Sequence, residues 1–260
     1  MLPADLLSVL SGAAVGLVLA VIGGGGSILA TPLLLYVVGI KDPHVAIGTS
    51  AMAVSVNAFA NLIGHARAGR VKWPCATVFA VSGVAGALLG AHIGKQTNSA
   101  VLLPLFALVM VAVGISMLRK GAAAGDPNVR LNPKLAPRLV LAGLIVGVLS
   151  GFFGIGGGFL IVPGLMVSSG MAMLNAVASS LLSVGTFGAT TAASYVYDGL
   201  IDWRIAALFI AGGIAGGVGG MRIARSFASR RQMLQRVFAG VVFAVAAYML
   251  YRSLPAVLGA

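Results

Sequence analysis

Two glycine runs are the most informative stretches of this chain. The first is Ile22-Gly-Gly-Gly-Gly-Ser-Ile-Leu-Ala-Thr-Pro32, and the second is Phe153-Gly-Ile-Gly-Gly-Gly-Phe-Leu-Ile-Val-Pro163. The two runs align without a gap, and each lies inside a long apolar stretch. Glycine lowers helix propensity by about 1 kcal/mol per residue relative to alanine. The runs therefore predict a break in a membrane helix at the same place in two copies of one unit.

The composition is that of a membrane protein. Hydrophobic residues make up 59% of the 260 residues and charged residues 8%, and the mean hydropathy is +1.05. A soluble domain is about 25% charged, and one core could not bury this much apolar surface. Apolar stretches recur along the chain that are long enough to cross a hydrocarbon layer of about 30 Å. Because lipid offers no hydrogen-bond partner to an open backbone, we expect an all-α polytopic membrane protein.

The two halves share landmarks well beyond the glycine runs. The register continues through aligned residues, which include Ser50 with Ser180, Gly69 with Gly199, and Trp73 with Trp203. Shared apolar composition would not align tryptophan, proline and glycine in this way over about 80 residues. We therefore predict two internal repeats of about 110–130 residues. The first covers residues 1–118, a basic linker covers 119–138, and the second repeat covers 139–260.

Hydropathy marks about eight hydrophobic segments, four in each repeat. In each repeat the long first segment is broken by the glycine run, and three plainer helices follow. The segments lie at about 6–38, 44–64, 73–94, 99–118, 139–168, 172–196, 203–221 and 233–254.

The loop charges predict that the second repeat is inverted relative to the first. The loop after the second segment is basic in the first repeat, with Arg67, Arg70 and Lys72, whereas its counterpart carries Asp198, Asp202 and Arg204. The next loop shows the reverse, with Lys95 in the first repeat and Arg222, Arg225, Arg230, Arg231 and Arg236 in the second. Positive loops stay in the cytoplasm, so equivalent loops lie on opposite sides. Each first segment must then enter and leave on one side, with both termini outside and the linker cytoplasmic.

The glycine runs are the candidate substrate site. If they break the helix, the half-helices that begin near Ser27 and Phe159 present open amide groups and positive dipole ends, which suit an anion. Close helix packing by small residues is the alternative. The candidate residues are Gly23, Gly24, Gly25, Gly26 and Ser27 in the first run, and Gly154, Gly156, Gly157 and Gly158 in the second. Glycines spaced by four residues elsewhere, such as Gly212, Gly216 and Gly220, are interpreted as packing faces.

Polar side chains on the second helix of each repeat are further candidates. Ser50, Asn57 and Asn61 share one helix face, and Ser183, Thr186 and Thr190 form a stripe in the second repeat. Amides inside a membrane are costly unless they find partners. Interhelical hydrogen bonding and the lining of a substrate path are both open interpretations.

Several absences narrow the chemistry. All five acidic residues are Asp, and none lies in the middle of a predicted membrane segment. A carboxylate site for a cation is therefore missing, and neutral donors favour a small anion. The single cysteine and three histidines lack the spacing of a metal site, no cofactor is implied, and the scattered basic loops do not indicate nucleic-acid binding. An intramembrane serine hydrolase would need a His opposite Ser27, and no pattern places one there.

The duplicated motifs resemble those of the TauE/SafE family of sulfite and organosulfonate exporters. The resemblance rests on the glycine runs followed by proline, on Gly48-Thr-Ser50 and Ala178-Ser-Ser180, and on the Gly…Trp corners, and it covers about residues 8–252. It implies a multi-pass permease of the bacterial inner membrane that exports small sulfur-containing anions. By the same resemblance, the binding region would include Gly23–Ser27, Thr49, Ser50, Gly154–Gly158, Ser179 and Ser180. The second run contains Ile155, and it has Gly158 where the first run has Ser27. The two sides of the binding region are therefore chemically unequal.

We therefore expect a secondary transporter, not an enzyme, that works by alternating access around a site within the membrane. A passive channel for small anions or solutes and a non-transporting membrane partner are the alternatives. The expected partners are a small anionic substrate and the lipid bilayer. Proton coupling and homo-oligomeric assembly are compatible with this interpretation.

Overall fold

The computed structural model describes residues 3–119, 125–153, 158–226 and 239–251. Within these ranges the regular elements are helical, and the one isolated β-bridge joins Asp126 to Met171. The helices in chain order are α1 (Pro3–Ile22), a 3-10 helix (Gly23–Leu29), α2 (Ala30–Leu33), a π-helix (Leu34–Val38), α3 (Pro43–Arg67), α4 (Trp73–Gln96), α5 (Ser99–Arg119), α6 (Ala136–Phe153), α7 (Gly158–Ser169), α8 (Met173–Tyr197), α9 (Trp203–Ser226) and α10 (Ala239–Tyr251).

Six of the described helices are long and apolar enough to cross a membrane, namely α1, α3, α4, α6, α8 and α9. Shorter apolar helices cover Gly26–Val38, Val101–Ala112, Leu160–Ser169 and Ala239–Tyr251. Large apolar side chains such as Leu141 and Val81 are well exposed on the outside of the molecule, where lipid would cover them. The fold is therefore that of an all-α, multi-pass membrane protein. Both predicted first segments are divided. Segment 6–38 consists of α1 and the shorter helices over Gly23–Val38, and segment 139–168 consists of α6 and α7.

The first segment forms a hairpin. Asp5 near the start of α1 pairs with Arg204 near the start of α9, with Nη2 and Oδ2 2.7 Å apart. Thr49 in the first turns of α3 accepts a hydrogen bond from the backbone N–H of Asp202, which precedes α9. The chain therefore runs away from this end along α1 and returns through Gly23–Val38 before α3 begins. It enters and leaves at one end, as the loop charges predict for a broken first segment.

The six long helices form two groups of opposite direction. We call α1, α3 and α9 the first bundle and α4, α6 and α8 the second bundle. In the first bundle Gly12 lies against Phe209 and Gly220 against Leu17, so α1 and α9 are parallel. In the second bundle Gly86 lies against Leu144 and Gly94 against Phe152, so α4 and α6 are parallel as well. The bundles are antiparallel because Gly48 of α3 contacts Tyr195 of α8, whereas Ser55 bonds to Gly185.

Glycines hold α1 against α9 and α4 against α6. A methyl group on Gly16 would overlap the carbonyl oxygen of Gly213, and one on Gly216 would overlap that of Ala13. The same relation holds between Gly147 and Gly83 in the second bundle. Such backbone contact between helices requires residues without a side chain. The prediction that glycines spaced by four residues form packing faces is confirmed.

Helices α3 and α8 form the centre of the molecule. In the most apolar part of each, 72% of residues are buried, compared with 33–44% in the other four long helices. Ser55 of α3 donates a hydrogen bond of 2.8 Å to the carbonyl oxygen of Gly185 of α8. Phe59 lies over the same glycine, where a side chain would overlap its ring. The two bundles therefore meet along α3 and α8.

The two ends of the molecule differ in charge. The end at which α3 and α9 finish and α4, α6 and α8 start carries Arg67, Arg70, Lys72, Asp126, Arg130, Lys134, Arg138 and Arg222 among the described residues. We call it the basic end. The opposite end, called the mixed end, carries Asp5, Lys41, Asp42, Lys95, Asp198, Asp202 and Arg204. Lys95 pairs with Asp198 there.

The glycine contacts predict a specific stability difference on α9. Gly216→Ala should destabilise the protein by about 1–3 kcal/mol, because overpacking would push α9 away from α1. Gly219→Ala is the matched control, since a methyl group there meets no atom within 4 Å. The midpoint of thermal unfolding in detergent measures both. Equal midpoints for the two variants would contradict backbone contact between α1 and α9.

Candidate functional site

The first glycine run is the point at which α-helical geometry ends. Helix α1 stops at Ile22, and Gly23–Leu29 continue as a 3-10 helix before α2 begins. Gly23 has a φ of +73°, which a residue with a side chain rarely adopts. This single left-handed residue starts the turn that sends the chain back along α1.

Gly23, Gly26 and Ser27 of the run are buried between the two halves. A side chain on Gly23 would come within 2.8 Å of Cγ1 of Val177 on α8, and one on Gly26 within 2.5 Å of the backbone nitrogen of Leu19 on α1. Helix α7 also packs against the run. Ser27 is fully buried within it. The glycines therefore allow a close approach here, so tight packing and an irregular backbone at the contact between the halves occur together.

The second glycine run lies outside the described residues, which stop at Phe153 and resume at Gly158. The predicted site residues Gly154, Gly156 and Gly157 therefore have no described position. Gly158 is the first residue of α7. The contact of α7 with the first run places the element that follows the second run beside the first one.

A pair of hydroxyl groups lies directly after the first run. Oγ1 of Thr31 on α2 and Oγ of Ser50 on α3 are 2.8 Å apart, and both residues are buried. Ser50 also donates to the carbonyl oxygen of Ile47. Thr31 was not a sequence candidate, although a threonine before Pro32 in an apolar segment is a polar exception that marks it. Its counterpart by alignment is Val162, so the pair belongs to one half.

Thr49 and Ser179 are placed at the helix corners. Thr49 Oγ1 accepts a hydrogen bond of 3.0 Å from the backbone N–H of Asp202, and Ser179 Oγ accepts one of 2.9 Å from that of Lys72. Asp202 and Lys72 immediately precede α9 and α4. Each hydroxyl therefore anchors the start of the third long helix of the other half to a central helix. Their predicted role in substrate binding stays a prediction.

The remaining hydroxyl candidates bond within their own helix. Ser180 donates to the carbonyl oxygen of Val177 at 2.8 Å, and Thr186 donates to that of Leu182 at 3.0 Å. Ser180 is buried and Thr186 is half-buried on α8. A hydroxyl that bonds to the preceding turn is satisfied without an interhelical partner. The hydroxyl of Thr186 is therefore satisfied by α8 itself, and the role of both groups towards a substrate stays a prediction.

Asn57 and Asn61 differ from the hydroxyl candidates. Asn57 is fully buried, and neither its Oδ1 nor its Nδ2 has a hydrogen-bond partner. Asn61 is 2% exposed, and its Nδ2 donates to the backbone carbonyl of Asn57 at 2.9 Å while its Oδ1 has no partner. Both amides face α9, where they lie against Gly213 and Gly217. Interhelical hydrogen bonding does not account for Asn57 in this structure.

Formal charge is confined to the ends of the long helices in the described part of the chain. The basic and mixed ends carry the ionised side chains named above, and the most deeply placed of these, Asp5, is paired with Arg204. His65 lies in the last turn of α3, with Nε2 3.2 Å from the carbonyl oxygen of Ala20. The interior between these ends therefore offers neutral amide, hydroxyl and backbone groups to a solute.

Comparison with known proteins finds relatives among membrane transporters. The sequence model of the family described as "Sulfite exporter TauE/SafE" matches residues 8–249. A relative from Xylella fastidiosa (strain 9a5c), named "Probable membrane transporter protein", is 50% identical over 244 residues, which cover 94% of each chain. "Probable membrane transporter protein YunE" of Bacillus subtilis (strain 168) is 26% identical over 245 residues, which cover 85% of this chain and 89% of the relative. A probable membrane transporter protein of Methanocaldococcus jannaschii is 33% identical over 162 residues, which cover 60% of each chain.

The corner hydroxyls predict a stability effect that is separate from transport. Thr49→Val should destabilise the protein by about 1–3 kcal/mol, because the N–H of Asp202 loses its acceptor in a part-buried place. Thr186→Val is the control, since the hydroxyl of Thr186 bonds to carbonyl oxygens of its own helix. Thermal unfolding in detergent measures both variants. If Thr49→Val lost transport with unchanged stability, a direct role of this hydroxyl towards the substrate would replace the anchoring role.

Proposed function

The chain belongs to the sulfite exporter TauE/SafE family of membrane transporters, and on this premise we propose that it is a secondary transporter of a small sulfur-containing anion such as sulfite or an organosulfonate. The observation that carries the proposal is the buried glycine run at the contact between the halves. Irregular backbone inside a membrane persists where protein buries it or where it lines a cavity. Transporter sites are built from such breaks at the contact between repeats.

The two halves are proposed to be inverted repeats. The aligned glycines support this, because Gly12 contacts Phe209 as Gly143 contacts Phe79. The corner hydroxyls of Thr49 and Ser179, also aligned, accept bonds from the aligned residues Asp202 and Lys72. The two bundles run in opposite directions, as inverted copies would.

Alternating access is proposed to occur between the two bundles. Within each bundle, glycine contacts and corner hydrogen bonds tie helices of both halves together. Between the bundles, α3 packs against α8, and the glycine run that follows α1 packs against α7 and α8. A motion of one bundle against the other would therefore open the region around the glycine run and leave the glycine-packed pairs α1–α9 and α4–α6 intact.

The proposed orientation follows from the charge of the two ends. The basic end, which includes the linker residues Arg130 and Lys134, would face the cytoplasm of a bacterial inner membrane. The start of α1 and the mixed end would then face outwards. The name of the matching family supports export as the direction of transport.

Flux measurements test the transporter proposal. Purified protein in liposomes should move at least one of the anions sulfite, thiosulfate, sulfoacetate and sulfate with saturable kinetics. It should also show counterflow, because a carrier exposes one site alternately. The assay is run with and without a pH gradient to detect proton coupling. A linear, non-saturating flux without counterflow would indicate a passive channel. The absence of flux for every one of these anions would overturn the proposal.

A serine in the glycine run tests the location of the site. Ser27→Ala should lower the transport rate by about tenfold, since one hydrogen bond to a charged group is lost. Ser82→Ala on α4 is the matched control, because the hydroxyl of Ser82 bonds to carbonyl oxygens of its own helix. Initial rates are normalised to the amount of folded protein in the liposomes. Equal rates for both variants would leave the glycine run with a packing role only.

A further inference from the structure

Asn57 is a fully buried residue whose side-chain amide has no hydrogen-bond partner. The residue aligned with it in the second half is Phe187, on the basis of the Ser50 and Ser180 register. Phe187 covers Gly83 of α4, where a side chain would overlap its ring, and it stacks on Phe79 with ring centroids 6.3 Å apart. Asn57 covers Gly213 of α9, the aligned glycine, in the same way. An apolar side chain therefore fills the equivalent place in the other bundle.

Burial of the Asn57 amide without a hydrogen bond also costs free energy. An amide removed from water without a hydrogen bond costs on the order of several kcal/mol, and a membrane interior supplies no water to relieve it. Unpartnered hydroxyls such as those of Ser183 and Thr191 can rotate towards a carbonyl of their own helix. The side-chain amide of Asn57 has an N–H₂ donor and an oxygen acceptor together, and neither has a partner. A ligand that carries both an acceptor and a donor would satisfy both groups.

The unpartnered atoms of Asn57 and Asn61, on the side of α3 that faces α9, define the chemistry of that ligand. Asn61 donates its Nδ2 to the backbone carbonyl of Asn57. The Asn61 atom at that carbonyl must be the nitrogen, which leaves its Oδ1 directed away without a partner. The face therefore offers one amide donor group and two carbonyl acceptors. A fully deprotonated oxyanion has acceptors only and would pair with the donor alone, whereas an oxyanion that keeps one O–H can pair with donor and acceptor at once.

The charge of the surroundings favours the same species. Within the described residues, ionised side chains lie at the ends of the helices, so no cation is shown beside Asn57. A dianion would have to leave water without a compensating charge, which costs far more than the transfer of a monoanion. Amide recognition of a single charge with one acidic hydrogen needs no buried lysine or arginine.

Resting on the proposed function, we infer that Asn57 and Asn61 form the specificity site of the transporter and select a monoprotonated oxyanion, such as hydrogensulfite, over the corresponding dianion. The amide N–H₂ of Asn57 donates to an unprotonated oxygen of the anion. Oδ1 of Asn57 or Asn61 accepts the O–H of the anion. The site lies on the α3–α9 side of the molecule, and the aligned α8–α4 side is filled by Phe187.

Replacement of Asn57 by apolar residues separates a binding role from a packing role. Asn57→Leu keeps the branching of the side chain, and Asn57→Phe copies the packing of Phe187 over a glycine. At least one variant should keep or raise the thermal unfolding midpoint, because the buried unpartnered amide is removed. The half-saturating concentration of sulfite should rise roughly 10- to 100-fold, as expected when a hydrogen bond to a charged group is lost. Phe187→Leu is the control, with lower stability and an unchanged half-saturating concentration.

The protonation state of the substrate is tested with three anions in liposomes at equal pH on both sides. Wild-type flux of sulfite should fall from mildly acidic to mildly alkaline pH, as hydrogensulfite is converted to the dianion. Flux of methanesulfonate, a monoanion at every pH used, should be low and constant, and sulfate should not be transported. A titration of the protein would change the methanesulfonate flux as well. The following groups could titrate or carry charge on α3, on the helices that pack against it and at the caps of these helices: Asp5, Tyr36, Asp42, His44, His65, Arg67, Arg119, Tyr195, Tyr197, Asp198, Asp202, Arg204, Arg222 and Arg225.

The outcomes distinguish this inference from the proposed function. If the wild type transports sulfite and the Asn57 variants do so with the same half-saturating concentration, the specificity site lies elsewhere and the transporter proposal stands. Equal transport of sulfite at all pH values, or efficient transport of sulfate, would overturn selection of a protonated oxyanion. If the wild type moves none of the anions, the proposed function itself fails.

Discussion

Backbone contact between glycine-bearing helices is the constraint on which the rest of this structure depends. Lipid gives apolar helices no hydrophobic reason to associate, so van der Waals contact at short range has to hold them together. Gly16 against Gly213 and Gly147 against Gly83 supply that contact in the two bundles. Since each pair joins the first long helix of one half to the third of the other, neither half can pack by itself in the observed way.

This packing of α1 on a helix of the other half determines where the backbone can depart from α-helical geometry. With α1 held by α9, the chain after Ile22 turns back against α1, and the left-handed Gly23 begins that turn. The return places the glycine run against α7 and α8, which belong to the other half. The central helices α3 and α8 then carry the polar residues. Several of their hydroxyls bond within the helix, as those of Thr186 and Thr190 do, and others anchor a corner, as Thr49 does for Asp202.

The two sides of this arrangement are built alike but are not chemically equal. Asn57 and Phe187 cover aligned glycines, yet one is an amide without partners and the other an aromatic ring in a stack. His65 and Tyr195, which are aligned in the same register, lie two turns further along these helices. The difference between the halves is therefore as informative as their similarity.

The sequence by itself determined the class of protein, the position of the helix break after Ile22, and the packing role of the glycines on α9, because hydropathy and helix propensity are local properties. It also singled out Asn57 and Asn61, since an amide in an apolar helix stands out at once. Which helices meet was decided only by the tertiary structure, because a spacing of four residues marks a contact face and does not name its partner. For the same reason, the sequence could not separate Thr49, which anchors a corner, from Ser50, which pairs with Thr31. The two hydroxyls are neighbours in the chain, and the direction in which each points depends on the helices that surround α3.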